Sequence, residues 1–517
     1  MRDSQGDVVA VGGIEDIPDL DSFEGALDFA WRRFLKNQDE VELPDVIRLA
    51  DIEYQWDMYR RHFVEMVEGG GYTPGYVEVV DLPKDELTVR PLARLRIEDR
   101  LYYEACVFSM VSKIDIEIPR VVYSYRWSDF KGDLRRPVGS WVRMRKYGRT
   151  FNQRHPALLM ARTDVSAFYE NINVGILVQE LRQLKVDEQM LVRLHDFLHT
   201  FQEMNHVWGL PQGCDASGIL ANLYLLPVDR IITRSALQHM RYSDDIFIFG
   251  PDREILRHCL LEVNRAMRGR RLSMSGHKTE IFDAKDVPQV FDDMEKDAIR
   301  YNANIGSDSA PAEVRKYFDQ ATEGVDINER DARFSLNLLK KLDDPYAIDW
   351  IVRNFEHVPQ MAQDLVNYLE HFAGYPDKVR RFCTEAISKR VFKGYPYAEL
   401  HILGFMMRQD MHSLQAYEAA WGMLRDRNEE TFLREYAARY VGRNARPGDG
   451  ALLRQEFRRD PSFALRRALL VAIYETRQDD ASWFGRAAQA VPDLRWVCRY
   501  LESEPEVPLP PARRYRG

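Results

Sequence analysis

The stretch HMRYSDDIFIFG, residues 239–250, sets two adjacent acids, Asp244 and Asp245, between apolar, strand-like runs. An acid pair in such surroundings is costly unless solvent or a cation offsets its charge. Taken alone it reads as a turn between two strands, because turns favour Asp. A second acid of the same kind lies upstream. In ALLMARTDVSAFYENI (157–172) a strand-like run ends at Asp164 and is followed by Phe168, Tyr169 and a helix. One carboxylate at a strand end and a pair on a hairpin can converge on two hard divalent ions, which prefer oxygen ligands and leave positions open for phosphates. Two such ions can activate a hydroxyl and stabilise a leaving pyrophosphate.

Between these elements runs GLPQGCDASGILANLYLLPVDR (209–230). Gly209, Pro211 and Gly213 predict a bent backbone that approaches a ligand closely, with Gln212 beside it and an amphipathic helix from about Ser217. Upstream, in VVDLPKDELTVRPLARLRIEDRLYY (79–103), Lys84 and Arg90 flank a strand turn and could grip a triphosphate. From 70 to 290, strand-like runs (Tyr76–Leu82, Leu158–Thr163, Ile246–Phe249) alternate with helical ones (Ile176–Leu184, Glu254–Met267). That mixture is α+β.

The chain has 517 residues, enough for several cores, and carries a net charge of −9. No run approaches the roughly 18 apolar residues of a membrane span, and the N-terminus lacks a signal-peptide layout. Five scattered cysteines without metal spacing favour a reducing, cytoplasmic setting. The acidic balance looks hostile to nucleic acid, but it is localised. Residues 1–26, a solvated lead-in, hold seven acids and one base, whereas 131–154 hold eight bases against Asp133 alone. That basic window, with Trp141 and Tyr147, suits a phosphate backbone and stacked bases.

After about residue 310 only helical periodicity remains, broken by Pro345, Pro359, Pro376, Pro396, Pro447 and Pro461. LLKKLDDPYAIDWI (338–351) and VAIYETRQDDASWFG (471–485) are loosely alike, which points to stacked helical pairs. The expected layout is a lead-in over 1–26, a fingers-and-palm domain over 27–305 and an all-α, HEAT-like helical-repeat domain over 306–517. The boundary is expected in Asn302–Pro311.

In order, PK…RP, D-x-x-x-F-Y, G-L-P-Q-G…S…N, Y-x-D-D and G-x-K-T resemble the motif series of reverse transcriptases. The likeness is to the bacterial branch of group II intron, retron and abortive-infection enzymes, and it spans about 70–290. It implies a right-hand polymerase core with Asp164, Asp244 and Asp245 as metal-binding catalytic acids and two Mg²⁺ ions, Mn²⁺ being the alternative. It implies that Tyr169 bars a ribose 2′-hydroxyl, so that dNTPs are preferred, and that Gln212 lines the sugar pocket. Lys84 and Arg90 would clamp the triphosphate, and Lys278 would stand near the departing pyrophosphate as a general acid. Cys214, Asp215, Ser166 and Ser243 depart from the usual residues. Asp215 adds negative charge near the expected strand path.

A polymerase core fused to a helical half, without a basic DNA-binding or nuclease segment, resembles the abortive-infection enzymes. The resemblance implies a cytoplasmic antiphage DNA polymerase that is RNA-directed or template-independent, binds nucleic acid and forms homo-oligomers. Copying a dedicated non-coding RNA is the alternative, followed by an RNA polymerase of palm fold and a non-catalytic scaffold.

Overall fold

The computed structural model describes residues 19–38, 41–205, 209–291, 294–324, 327–372, 374, 376–478 and 481–512. Most of the acidic lead-in, residues 1–18, therefore lies outside the described residues. The chain is mostly helical with small sheets, and the described strands are β1 (Glu78–Pro83), β2 (Val89–Arg94), β3 (Trp127–Ser128), β4 (Asp133–Leu134), β5 (Leu159–Thr163), β6 (Val165–Ser166), β7 (Gln238–Tyr242), β8 (Asp245–Gly250), β9 (Ser273–Met274) and β10 (Glu280–Phe282). Two compact units share them. The first comprises the described part of Met1–Arg33 with Pro74–Val77 and Leu95–Phe291; the second comprises Phe34–Thr73, Glu78–Arg94 and the described part of Asp292–Gly517.

At the centre of the first unit is a four-stranded sheet in the order β10-β5-β8-β7, antiparallel throughout. Alternation along the strands sorts the side chains. Met160, Met240, Phe247 and Phe249 form one core with Met144, Val287 and Phe291. The helix Pro137–Arg154 contributes Met144 to it, and Gly148 is needed there because a Cβ would stand 2.7 Å from the Phe291 ring. Ile246 and Ile248 point the other way. On that side the helix Arg253–Gly269 buries Leu256, Cys259, Leu260, Val263 and Met267 at helical spacing, capped by Asp252 accepting from the Ile255 amide.

The expected strands and helices of this region form within a residue or two of the expected places, as the apolar periods dictate. One reading is corrected. The helix after the GLPQG turn, Asp215–Tyr224, is not amphipathic but buried from Ala216 through Tyr224. Its apolar residues occur on every face, which is the pattern of a helix enclosed on all sides.

In the second unit three helices are almost wholly buried, Pro396–Arg408, Thr431–Arg443 and Phe463–Glu475. Between them in sequence lie helices with a single buried stripe, such as Leu414–Arg425 and Asp449–Arg459. Gly442 permits close helix packing: a Cβ there would lie 2.4 Å from the Ala472 carbonyl oxygen. Buried arginines tie in the earlier segments. Arg94 forks onto Glu435 at 2.7 Å, and Arg467 pairs with Asp45 at 2.6 Å and Asp51 at 2.7 Å. Such pairs explain why 34–73 and 78–94 pack with the C-terminal helices, since a guanidinium buried here needs its carboxylate.

Both halves of the internal likeness are helix–turn–helix. Asp343 (φ +55°) and Arg477 (φ +54°) take the left-handed conformation at the matching turns, while residues 479–480 lie outside the described residues. Asp410 and Arg390 do the same at two further helix ends. Val391 N–H then bonds back to Ala386 O, and Met411 N–H to Met406 O, as in a Schellman cap.

Candidate active site

Strand pairing brings the three carboxylates together. In the β5–β8 register Thr163 faces Ile246, so Asp164, one residue on, lies beside Asp245. Tyr242 pairs with Asp245 across the hairpin, leaving Ser243 and Asp244 as a two-residue turn. Ser243 has φ +55°, which such a tight turn demands. Asp164 is 3% exposed and accepts the Val165 amide at 2.9 Å through Oδ1. Its Oδ2 is taken by the Lys278 ammonium. Asp245 accepts from Arg162 at 3.0 Å, and Arg162 also lies 5.6 Å over the Phe247 ring.

The carboxyl of Asp244 is perturbed. Burial pushes its pKa up to about 7, helped by the facing Asp164 and by Asp245. Among the described residues no three His, Cys, Asp or Glu side chains form a ready metal-binding group as they stand. In this arrangement two of the three acids are turned to side-chain cations. The three side chains are nevertheless oxygen donors of the kind a hard divalent ion takes, and burial, then the charge of Asp164 and Asp245, opposes the ionisation of Asp244.

Tyr169 belongs to the same cluster. It opens a single 3₁₀ turn, Tyr169–Asn171, after Ala167 (φ +45°). Its carbonyl accepts the Leu210 amide at 2.9 Å. Gly209 (φ +85°) makes this possible, because a Cβ there would lie 2.0 Å from that same oxygen. Burial raises the pKa of the Tyr169 phenol, as does the charge of Asp244. Gln212 is half-buried on the GLPQG turn.

Lys84 and Arg90 stand on a separate element. Both are exposed on the β1–β2 hairpin, which belongs to the second unit. Leu82 pairs with Arg90 there, and the Lys84 amide bonds to Thr88 O at 2.8 Å.

Several supporting residues had no role in the sequence reading. Arg241 is fully buried and forks onto Asp229 at 2.7 and 3.0 Å. Its Nη1 also donates to Asn222 Oδ1 at 2.9 Å and to the Ser243 carbonyl at 3.0 Å. The turn therefore hangs from a buried guanidinium. The one sequence signal was an arginine and an acid inside otherwise apolar runs. Asp215 has a partner the sequence reading did not name: Arg33 pairs with it at 2.7 Å and also with Asp133.

The basic window forms the helix Pro137–Arg154, with Arg135, Arg136, Arg143, Lys146 and Arg154 exposed. It touches the site through Tyr242, whose ring meets Trp141 edge-on at 5.1 Å and whose hydroxyl donates to the Pro137 carbonyl at 3.1 Å.

Residues 82–302 match the family model described as reverse transcriptase (RNA-dependent DNA polymerase). No curated protein matches the chain. Similar solved structures include apo telomerase from Candida tropicalis, 9% identical with a TM-score of 0.33, covering 86% of this chain and 74% of that one. Another is telomerase from Candida albicans in complex with a TWJ fragment of telomeric RNA, 11% identical with a TM-score of 0.27, covering 71% and 70%. At these scores neither likeness bears on fold or function.

Proposed function

From the reverse transcriptase domain that the chain carries, we propose that this enzyme makes DNA from dNTPs at Asp164, Asp244 and Asp245, in the service of antiphage defence. The observation that carries the reading is the pairing of β5 with β8, which sets a strand-end carboxylate beside a carboxylate pair on a tight turn. These three side chains would hold two Mg²⁺ or Mn²⁺ ions. The chemistry such ions supply is activation of a primer hydroxyl and charge relief at the leaving pyrophosphate.

The chain's own groups do the rest. The Tyr169 ring, on a backbone tied to the GLPQG turn, would exclude a 2′-hydroxyl, with Gln212 at the sugar. Lys278 holds a proton at Nζ that a departing pyrophosphate oxygen can take once the ammonium leaves Asp164. Lys84 and Arg90 are assigned to the triphosphate from the exposed hairpin, and the helix Pro137–Arg154 to nucleic-acid phosphates.

The defence role rests on the plan of the chain, a polymerase segment over 27–305 followed by about 200 helical residues over 306–517. Support for a repeat there comes from the alternation of enclosed and one-sided helices and from recurrent Schellman caps. The cytoplasmic setting is supported by five free, buried cysteines, and homo-oligomers by resemblance alone. No described helix is long and apolar enough to cross a membrane.

The deciding experiment sequences the nucleic acid that co-purifies with the wild type and with Asp244→Asn, alongside incorporation of labelled dNTPs with Mg²⁺. A homopolymer or random strand selects template-independent synthesis. Copied RNA selects a partner transcript as template. Incorporation that survives Asp244→Asn removes the site assignment, and phage protection that survives it separates defence from polymerisation.

A further inference from the structure

The basic window holds two aromatics, Trp141 and Tyr147, and the fold engages both. Trp141 meets Tyr242 edge-on, and Tyr147 stacks on Phe151 at 6.0 Å. The unengaged ring stands one residue before the window. Phe130 is 95% exposed, the most exposed of the large apolar side chains among the described residues, and makes no ring contact there.

Phe130 sits at the tip of the β3–β4 hairpin, whose base is firmly anchored. Trp127 and Leu134 pair across it, each 5% exposed. Asp115 accepts the Trp127 amide at 3.0 Å and Arg126 Nε at 2.7 Å, and Arg33 pairs with Asp133. The tip is a tight turn, with Lys131 N–H bonded to Ser128 O at 2.9 Å and Gly132 at φ +55°. Such turns favour Gly, Asn, Asp or Ser, whereas a bare phenyl ring leaves apolar surface in water. The stability of the hairpin gives no reason for it; a ligand that covers the ring does.

Charge identifies that ligand. Lys131, Arg135, Arg136, Arg143, Lys146 and Arg154 are all exposed, and none is ion-paired among the described residues. The acids between residues 129 and 154 are Asp133, taken by Arg33, and Asp129. Arg135 and Arg136 join β4 directly to the helix Pro137–Arg154, so the cations continue from the tip along the chain. On the helix Arg143 and Lys146 are three residues apart and share a face. Its 18 residues span about 27 Å, the length of a path rather than of a single phosphate contact.

We propose that this surface binds single-stranded RNA, with an unpaired base stacked on Phe130 and the adjoining phosphates held along the helix. The proposal rests on the reading of that helix as a phosphate-binding element and adds its occupant. A phenyl ring stacks on a base whose face is free, as in a single strand and not within a duplex. RNA is the strand that an RNA-directed polymerase takes.

The test measures fluorescence anisotropy of a labelled, unstructured RNA with the full-length chain, freed of nucleic acid in high salt and without dNTPs. Phe130→Ala should weaken binding about five- to a hundredfold, the worth of one stacked base, while Phe130→Trp retains it. The melting temperature of Phe130→Ala should not move, because so exposed a ring carries no packing. The slope of log affinity against log salt should stay the same in Phe130→Ala and fall by about 0.7 in each of Arg143→Gln and Lys146→Gln. The same RNA annealed to its complement should not distinguish Phe130→Ala from the wild type. Unchanged single-strand affinity in Phe130→Ala overturns the inference, as does a loss that Phe130→Trp shares, an equal loss with the duplex, or tighter binding of the DNA strand of the same sequence. If the slope falls in the cation variants while Phe130→Ala binds normally, only this inference falls. If the slope does not move, the phosphate reading of the helix falls and takes the inference with it.

Discussion

The ammonium of Lys278 is salt-bridged to Oδ2 of Asp164, and the register of β10 on β5 puts it there. Glu280 faces Arg162 and Ile281 faces Ala161, so the strand's approach brings Lys278 level with Asp164. The hydroxyls of Thr279 and Thr163, 2.8 Å apart, pin the position between them. The hydrogen bond to Asp164 raises the Lys278 pKa, as does the charge of all three acids. The lysine holds its proton while it rests on the carboxylate.

Lys278 and a divalent cation therefore compete for Asp164. Lys278→Met should lower the Mg²⁺ concentration that half-saturates binding, measured by calorimetric titration, and reduce incorporation about a hundredfold if the ammonium acts as general acid. Lys278→Arg should keep the Mg²⁺ requirement high while losing rate, since guanidinium does not release its proton. An unchanged Mg²⁺ requirement in Lys278→Met would sink the competition.

Asp244 sets a pH dependence whose sign is fixed. Its folded pKa, about 7, lies above the ordinary carboxylate value, so between roughly pH 4 and 7 the native state binds the extra proton. Its destabilising contribution therefore grows as pH rises through that window and is complete above pH 7. In EDTA, Asp244→Asn should be more stable than the wild type at pH 8, by about 1–2 kcal/mol after allowance for partial solvent access, and the gain should vanish near pH 4. Added Mg²⁺ should raise the melting temperature of the wild type more than that of the variant. A variant that gains no stability at pH 8 would contradict the crowding of the three carboxylates.

The sequence disclosed the parts of the site that depend on local pattern. Apolar alternation fixed β5 and β8, their ends carried the acids, and the glycines of GLPQG marked a close approach. What it could not disclose is pairing across distance. Arg33 pairs with Asp215 from 182 residues away, and Arg94 finds Glu435 across 341. An arginine in a helix or a strand carries no local sign of its partner.

Gly209 is the point at which two motifs meet. Its φ of +85° disfavours any side chain, and a Cβ would sit 2.0 Å from the Tyr169 oxygen. Gly209→Ala should therefore push the loop off Tyr169, destabilising the fold by about 2–4 kcal/mol from strain and overpacking together. Gly213→Ala, also at positive φ but at an exposed position of the loop, should cost less. Thermal melts of both variants, with dNTP-to-rNTP preference measured beside them, check the ranking; equal losses would show that backbone conformation alone matters and the contact does not.

The buried pair Arg241–Asp229 separates stability from catalysis. Burial alone would raise the Asp229 pKa, but the charge of Arg241 and the hydrogen bond from His239 hold it below the usual range. Arg241→Met strands that carboxylate at 1% exposure and should cost about 3–5 kcal/mol, seen as loss of hydrogen-exchange protection in β7 and β8. Arg241→Met combined with Asp229→Leu removes both charges and should recover most of that protection, since an apolar pair of similar bulk replaces an ion pair whose desolvation was expensive. Incorporation should not recover with it. Arg241 also holds the Ser243 carbonyl and Asn222, and methionine can hold neither. A double variant as active as the wild type would mean that the turn keeps its place without the guanidinium.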